Sequence, residues 1–186
     1  MSSLTEPDWS TVAKPEDDGA ADHLPGMNLA DVVLPATDGR EVRMADLNGR
    51  GVIYIYPRTG QPGVALPTGW DAIPGARGCT PQSCSFRDHY GELKTLGVSN
   101  LFGLSSQDTD YQKEAVDRLH LPFPLLSDEA LKFAKAMRLP LFEADGMTLI
   151  KRMTLIIDDS TITHVFYPVF PPDRDAENVV AHLRAG

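Results

Sequence analysis

From Leu29 onward the chain alternates short strand-like and helix-like patterns of apolar residues. Asp31-Val32-Val33-Leu34 and Glu41-Val42-Arg43-Met44 flank the turn residues Thr37-Asp38-Gly39, which predicts a small hairpin. Gly51 to Tyr56 is a continuous β-branched and aromatic run, the pattern of a strand buried on both faces. A helix is expected from about Thr80 to Leu96, with Phe86, Tyr90 and Leu93 on one stripe. Leu101-Phe102-Gly103-Leu104 reads as the next strand. Thr109-Asp110-Tyr111-Gln112 has capping-box spacing and opens a helix to about Leu119. Pro122-Phe123-Pro124 ends it, Leu125-Leu126 forms a short strand, and Ser127 or Asp128 caps a helix carrying Leu131, Phe133, Ala134 and Met137. Met153 to Ile157 and Ile162 to Phe166 are two strands joined as a hairpin by Asp158-Asp159-Ser160, and the last helix spans roughly Ala176 to Arg184. This order predicts an α/β domain with a central mixed sheet flanked by helices.

Two segments fall outside the alternation. Residues 58–78 connect Pro57 to Cys79 through 21 residues, eight of them Gly or Pro, and a structureless connection of that length is usually functional or mobile. Residues 1–26 carry Glu6, Asp8, Glu16, Asp17, Asp18 and Asp22 against Lys14 alone, and read as a flexible acidic leader ahead of one domain over 27–186. At 186 residues the chain is long enough for one real core. Its 17 Lys+Arg against 26 Asp+Glu give a net charge of −9, the wrong sign for a nucleic-acid backbone or an anionic membrane surface. The apolar run Val52–Tyr56 is far below the roughly 20 residues that span a bilayer. The leader has no apolar export core, so the expected location is cytoplasmic, where thiols stay reduced.

That makes the two cysteines informative. In Gly78-Cys79-Thr80-Pro81-Gln82-Ser83-Cys84, Thr80 suits an N-cap and Pro81 the first helical position. Cys79 then sits at a helix N-terminus, where unpaired amides and the positive dipole end favour a thiolate, and Arg77 adds a cation if it points inward. Residues five apart on an α-helix have Cα atoms about 8.7 Å apart. A disulfide needs roughly 7 Å or less. The two cysteines can therefore cross-link only if the helix start unwinds, and Cys84 is expected to project away from the apolar stripe. Two inert buried thiols are the bland alternative. A zinc site lacks ligands, since only His89 follows at helical range, and no metal is expected. No Cys-x-x-Cys is present for plain dithiol exchange.

These residues resemble the peroxiredoxin family, in particular its bacterioferritin-comigratory-protein or peroxiredoxin Q branch. The shared order is Tyr56-Pro57, Gly78-Cys79-Thr80, Cys84 and Arg87-Asp88, then Leu126-Ser127-Asp128, Arg152-Met153-Thr154-Leu155-Ile156-Ile157-Asp158 and Ile162-Thr163-His164-Val165-Phe166. The resemblance implies a thioredoxin-like fold with an N-terminal hairpin and an insertion at about 58–78. It implies a cofactor-free thiol peroxidase acting on hydrogen peroxide or organic hydroperoxides. Cys79 would be the peroxidatic cysteine, oxidised to a sulfenic acid, and Cys84 the resolving cysteine that closes an intramolecular disulfide. Arg152 would stabilise the thiolate and the peroxide oxygens, and Pro57 would shape the substrate pocket. A thioredoxin or similar dithiol would reduce the disulfide. A monomer or small homo-oligomer is expected.

The sequence departs from the family where a proline and a threonine precede the cysteine by seven and three positions: here stand Ala72 and Ala76. The simplest account is an insertion after Pro57, with the missing hydroxyl supplied by Thr59, by Thr68 or not at all. Leu66, Trp70 and Ile73 would make the insertion an apolar lid near Cys79. Two other readings stay open: a one-cysteine peroxidase resolved by an external thiol, and a thioredoxin-fold redox sensor or interaction module.

Overall fold

In the computed structural model, which describes residues 8–186, nine strands and five α-helices follow one another among the described residues. They are β1 (Val33–Pro35), β2 (Glu41–Arg43), β3 (Arg50–Ile55), α1 (Cys79–Asp88), α2 (Tyr90–Thr95), β4 (Val98–Ser105) and α3 (Thr109–Leu119). After these come β5 (Leu125–Ser127), α4 (Lys132–Ala136), β6 (Leu141–Ala144), β7 (Met147–Ile150), β8 (Met153–Asp158), β9 (Thr161–Phe166) and α5 (Asp175–Ala185). The central sheet has the order β5-β4-β3-β8-β9. β3, β4 and β5 run parallel, and β8 and β9 close that edge antiparallel.

The β3 run is buried on both faces because alternate residues feed two cores. Ile53 and Ile55 join Phe102, Leu104, Leu155, Met44 and Phe133 on one side. Val52, Tyr54 and Tyr56 join Leu101, Ile156, Phe86 and the α5 residues Val179 and Leu183 on the other, and this second core also holds Cys79. Tyr54 stacks on Phe86 with ring centroids 4.5 Å apart and donates to Ser83 Oγ at 3.0 Å, fixing α1 over the sheet. Gly103 is required beneath them, since a Cβ there would meet Leu125 Cδ2 at 2.5 Å and Tyr54 Cζ at 2.6 Å.

The expected α/β fold, with its mixed sheet and N-terminal β1–β2 hairpin, is present. The hairpin turn between β8 and β9 is also as expected: Asp159 and Ser160 both have positive φ, as a type I′ turn requires. The helix expected over Thr80–Leu96 is instead two helices. His89 leaves α geometry at φ −100, ψ 6, and its Nδ1 lies 2.8 Å from Ser85 O at the end of α1. The β6–β7 hairpin was not expected, although its turn residues Asp145 and Gly146 carry the Asp-Gly signature and both have positive φ. The N-cap of α4 is Leu131, in left-handed geometry, rather than Ser127 or Asp128; the Asp128 carboxylate reaches the helix start from upstream, accepting from Phe133 N at 3.0 Å and Ala134 N at 2.8 Å.

The leader differs most from its charge-based reading as a solvated extension. Leu24 is fully buried and Ala21 nearly so, and both belong to the core under β3. Trp9 donates to Asp173 Oδ2 at 2.9 Å and packs edge-on against Phe170. Asp18 accepts from Tyr167 at 2.8 Å and pairs with Lys151 at 3.2 Å. The acidic residues face solvent or these partners, while the few apolar ones between them supply the attachment. Residues 1–7, with Glu6, lie outside the described residues.

Candidate active site

Cys79 is the first residue of α1, two residues closer to the helix end than an N-cap at Thr80 implies. The chain turns at Gly78, whose φ of 112° suits only glycine. A Cβ at Gly78 would also lie 2.6 Å from Pro172 Cγ and 2.8 Å from Trp9 Cη2. The helix then starts with Gln82 N donating to Gly78 O at 3.0 Å. The amides of Cys79 and Thr80 have no intrahelical acceptor, so they present partial positive charge beside the thiol.

Arg152 reaches the same sulfur from the link between β7 and β8. Its side chain is 3% exposed, and Nη2 donates to Cys79 Sγ at 3.2 Å. The same nitrogen lies 3.3, 3.0 and 3.2 Å from the carbonyl oxygens of Gly75, Ala76 and Arg77. One guanidinium therefore holds the end of the long connection against the thiol it leads to. Arg77 itself turns outward to pair with Asp71 at 3.5 Å.

A buried relay fixes that guanidinium. Arg152 Nη1 donates to Gln82 Oε1, and Gln82 Nε2 donates to Asp175 Oδ2 at 2.7 Å. Thr154 Oγ1 donates to the same carboxylate oxygen at 2.6 Å. With Asp175 ionised, the Gln82 amide can orient only one way, its NH₂ toward the carboxylate and its oxygen toward Arg152. Burial pushes the Asp175 carboxyl up to about 6, against the hydrogen bonds from Thr154 and Gln82 and the Arg152 charge. Sequence reading missed these three residues. Gln82 was accessible in principle, since it stands one helical turn after Cys79. Asp175 was not, because only the fold brings the start of α5 to α1.

Cys84 lies on the same helix but in different surroundings. It is half-buried against Tyr90 and the Phe86 core rather than projecting away from it, because α1 is covered by α5 and α2 as well as by the sheet. Burial raises its thiol above the ordinary value, partly offset by Arg87 and Arg118. Both cysteines are free thiols on one continuous helix.

A cavity of about 180 Å³ opens over Cys79, lined by Gly60, Leu66, Trp70, Thr80 and Pro81, with Arg58, Arg77 and Gly78 completing it. Pro57 is buried and is not one of these lining residues; its neighbour Arg58 is. Thr59 does not replace the missing hydroxyl, because it is fully buried and donates to Gln107 Oε1 at 3.1 Å. Thr68 is exposed, with its amide held by Asp145 Oδ2 at 2.7 Å. Thr80 is the hydroxyl-bearing residue among those lining the cavity. The insertion packs through Trp70 and Ala76 on Ala144 and Leu149, so the β6–β7 hairpin is its support. No group of three or more possible metal-ligating side chains occurs among the described residues, and no described helix is long and apolar enough to cross a membrane.

Comparison with known proteins identifies the family. A family profile described as Redoxin matches residues 23–183. The chloroplastic peroxiredoxin Q of Oryza sativa subsp. japonica is 33% identical over 152 residues, 80% of this chain and 61% of that protein, so the chain spans about three fifths of the rice relative's length. The corresponding protein of Sedum lineare is 30% identical over 154 residues, 82% of this chain and 73% of that one. Among solved structures, peroxidoxin BcpB from Mycobacterium tuberculosis superposes with a TM-score of 0.70 at 27% identity, covering 88% of this chain and 98% of that chain. With a thiol at the α1 start, a buried arginine on it and a second cysteine five residues later, the chain belongs to the Redoxin family and, within it, to the peroxiredoxin Q and bacterioferritin comigratory protein branch.

Proposed function

We propose that this protein is a thiol-dependent peroxidase in which Cys79 is peroxidatic, Cys84 resolving and Arg152 the stabilising cation. The observation that carries this reading is the 3.2 Å contact from Arg152 Nη2 to Cys79 Sγ at the floor of an open cavity. The thiolate sulfur attacks the terminal oxygen of a hydroperoxide. An S–O bond forms as the O–O bond breaks, giving a sulfenic acid and an alkoxide or hydroxide that takes up a proton. Negative charge moves from sulfur to the departing oxygen, and Arg152 with the free α1 amides can follow it. Thr80 orients the peroxide from the cavity wall. Cys84 then displaces water from the sulfenic acid once the first turns of α1 unwind. A thioredoxin-like dithiol, in a reducing compartment such as the cytosol, returns both thiols.

The raised thiol of Cys84 and its half-buried position lend specific support to a second reading, in which an external thiol resolves Cys79. Cys84→Ser separates the two. Loss of thioredoxin-coupled peroxide consumption supports the two-cysteine cycle, and retention of it supports the one-cysteine enzyme. Peroxide that leaves both wild-type thiols intact would overturn the peroxidase reading.

A further inference from the structure

Arg58 stands where two cavities meet. It lines the space of about 180 Å³ over Cys79, and it also lines a wider groove of about 400 Å³ bounded by Tyr111, Leu131, Met147 and Leu149. The side chain is half-buried, yet it forms no ion pair among the described residues. Its contacts are thin. Nη1 lies 3.2 Å from Met147 Sδ, a weak acceptor, and Nη2 lies 3.5 Å from the Tyr111 hydroxyl, at the outer limit of a hydrogen bond. The guanidinium carbon sits 5.1 Å from the Tyr111 ring centroid, and the buried Nε–H has no partner.

The nearby carboxylates do not answer it. Asp108 and Glu129 also line the groove, but Asp108 accepts from Tyr111 N at 2.8 Å as the cap of α3, and the exposed Glu129 forms no ion pair with Arg58. By contrast Arg118, which reaches the same loop by donating to Gly60 O at 2.9 Å, pairs with Glu114 at 2.7 Å. A partly desolvated cation with poor acceptors favours an anion arriving from outside. The wall between it and Cys79 is apolar on one side. Trp70 is buried there, and Leu66 is 47% exposed, one of the few large apolar side chains so open.

We infer that Arg58 anchors the carboxylate of an organic hydroperoxide whose apolar body lies against Leu66 and Trp70 and whose –OOH reaches Cys79. This deepens the peroxidase reading and rests on it. The chemistry is unchanged: Cys79 sulfur takes the terminal OH of the hydroperoxide, the O–O bond breaks, and the hydroxy acid leaves after protonation of its alkoxide. Cysteine is oxidised and the peroxide reduced, and Arg58 takes no part in bond exchange.

The test compares a fatty-acid hydroperoxide with its methyl ester, both below their micelle concentrations, in single-turnover oxidation of Cys79. The two share chain and O–O bond and differ in charge. Wild type should oxidise about tenfold faster with the acid than with the ester, the effect of one charge-assisted contact. Arg58→Met should bring that ratio close to one, and Arg58→Lys should keep part of it. If Arg58→Met does not fold, the peroxide-free fatty acid should still compete with the acid hydroperoxide in wild type, and its methyl ester should not. A wild-type ratio near one, or a tenfold ratio that survives Arg58→Met, would overturn the inference. Hydrogen peroxide is the separating arm. If it oxidises Cys79 while the acid has no advantage, only the carboxylate site falls; if it too leaves Cys79 reduced, the peroxidase reading falls with it.

Discussion

Cys79 and Cys84 sit on one helix, five residues apart, and their surroundings could hardly differ more. Cys79 is at the helix start, with Arg152 on its sulfur and an open cavity above it. Cys84 is in mid-helix, half-buried among Tyr90 and the Phe86 core, with its thiol pushed up by burial. On the proposed function, position alone divides identical chemistry into two roles: one sulfur attacks, and the other waits until the helix opens. The same helix that turns its free first amides toward Cys79 also keeps Cys84 beyond disulfide reach.

The largest effect should come from exchanging the sulfurs' fates. Cys79→Ser should lower the first-turnover rate with hydrogen peroxide by about 10⁴-fold or more. Cys84→Ser should allow that turnover and stall the second, with a sulfenic acid trapped at Cys79 by a dimedone-type reagent. Equal losses from both variants would erase the distinction.

Removing the cation comes next. Arg152→Met should cost about 10²–10³ in kcat/KM for peroxide, the range for one preorganised donor at developing charge. Arg152→Lys should recover only part, because a single ammonium cannot bridge the sulfur, Gln82 and the three carbonyls together. Steady-state kinetics on folded variants checks both.

Asp175→Asn tests the relay behind that cation. The wild-type carboxyl sits at about 6 in the folded chain against 3.8 as its ordinary value, so the folded state keeps a proton that the unfolded state has lost. Wild-type stability relative to Asp175→Asn is thus greatest below about pH 4 and should fall by about 3 kcal/mol as pH rises past about 6. Urea denaturation of both proteins across that range reads it directly. A difference independent of pH would mean that Asp175 does not titrate as described. Peroxide reactivity of the wild type should rise over the same interval as ionised Asp175 fixes the Gln82 amide, and Asp175→Asn should lose that rise.

Gly78→Ala should have the smallest consequence of the four, about 1–3 kcal/mol of stability by thermal or urea unfolding. Its methyl group would be strained at φ 112° and press on Pro172 and Trp9, disturbing the helix start where Cys79 sits.

Much of this was legible in sequence because it rests on local signals. The run from Val52 to Tyr56 announces a strand with two buried faces, and Gly78-Cys79 followed by Pro81 announces a helix start near the thiol. The family resemblance supplied Arg152 as well. What was not legible depends on contacts between distant segments. Asp175 meets Gln82 across 93 positions. Leu24 and Trp9 find apolar partners that the acidity of their segment conceals. The β6–β7 hairpin is a different kind of omission: Asp145-Gly146 carried the turn signal, but Leu141-Phe142-Glu143-Ala144 is a short, half-exposed strand with no strict alternation of apolar and polar residues.

The most direct test of the two-cysteine account is intact mass with thiol counting before and after one equivalent of hydrogen peroxide, on wild type and Cys84→Ser. The account predicts that wild type loses two hydrogens and both free thiols, while Cys84→Ser gains one oxygen at Cys79. Wild type that keeps both thiols, or that gains oxygen without closing a disulfide, would contradict it.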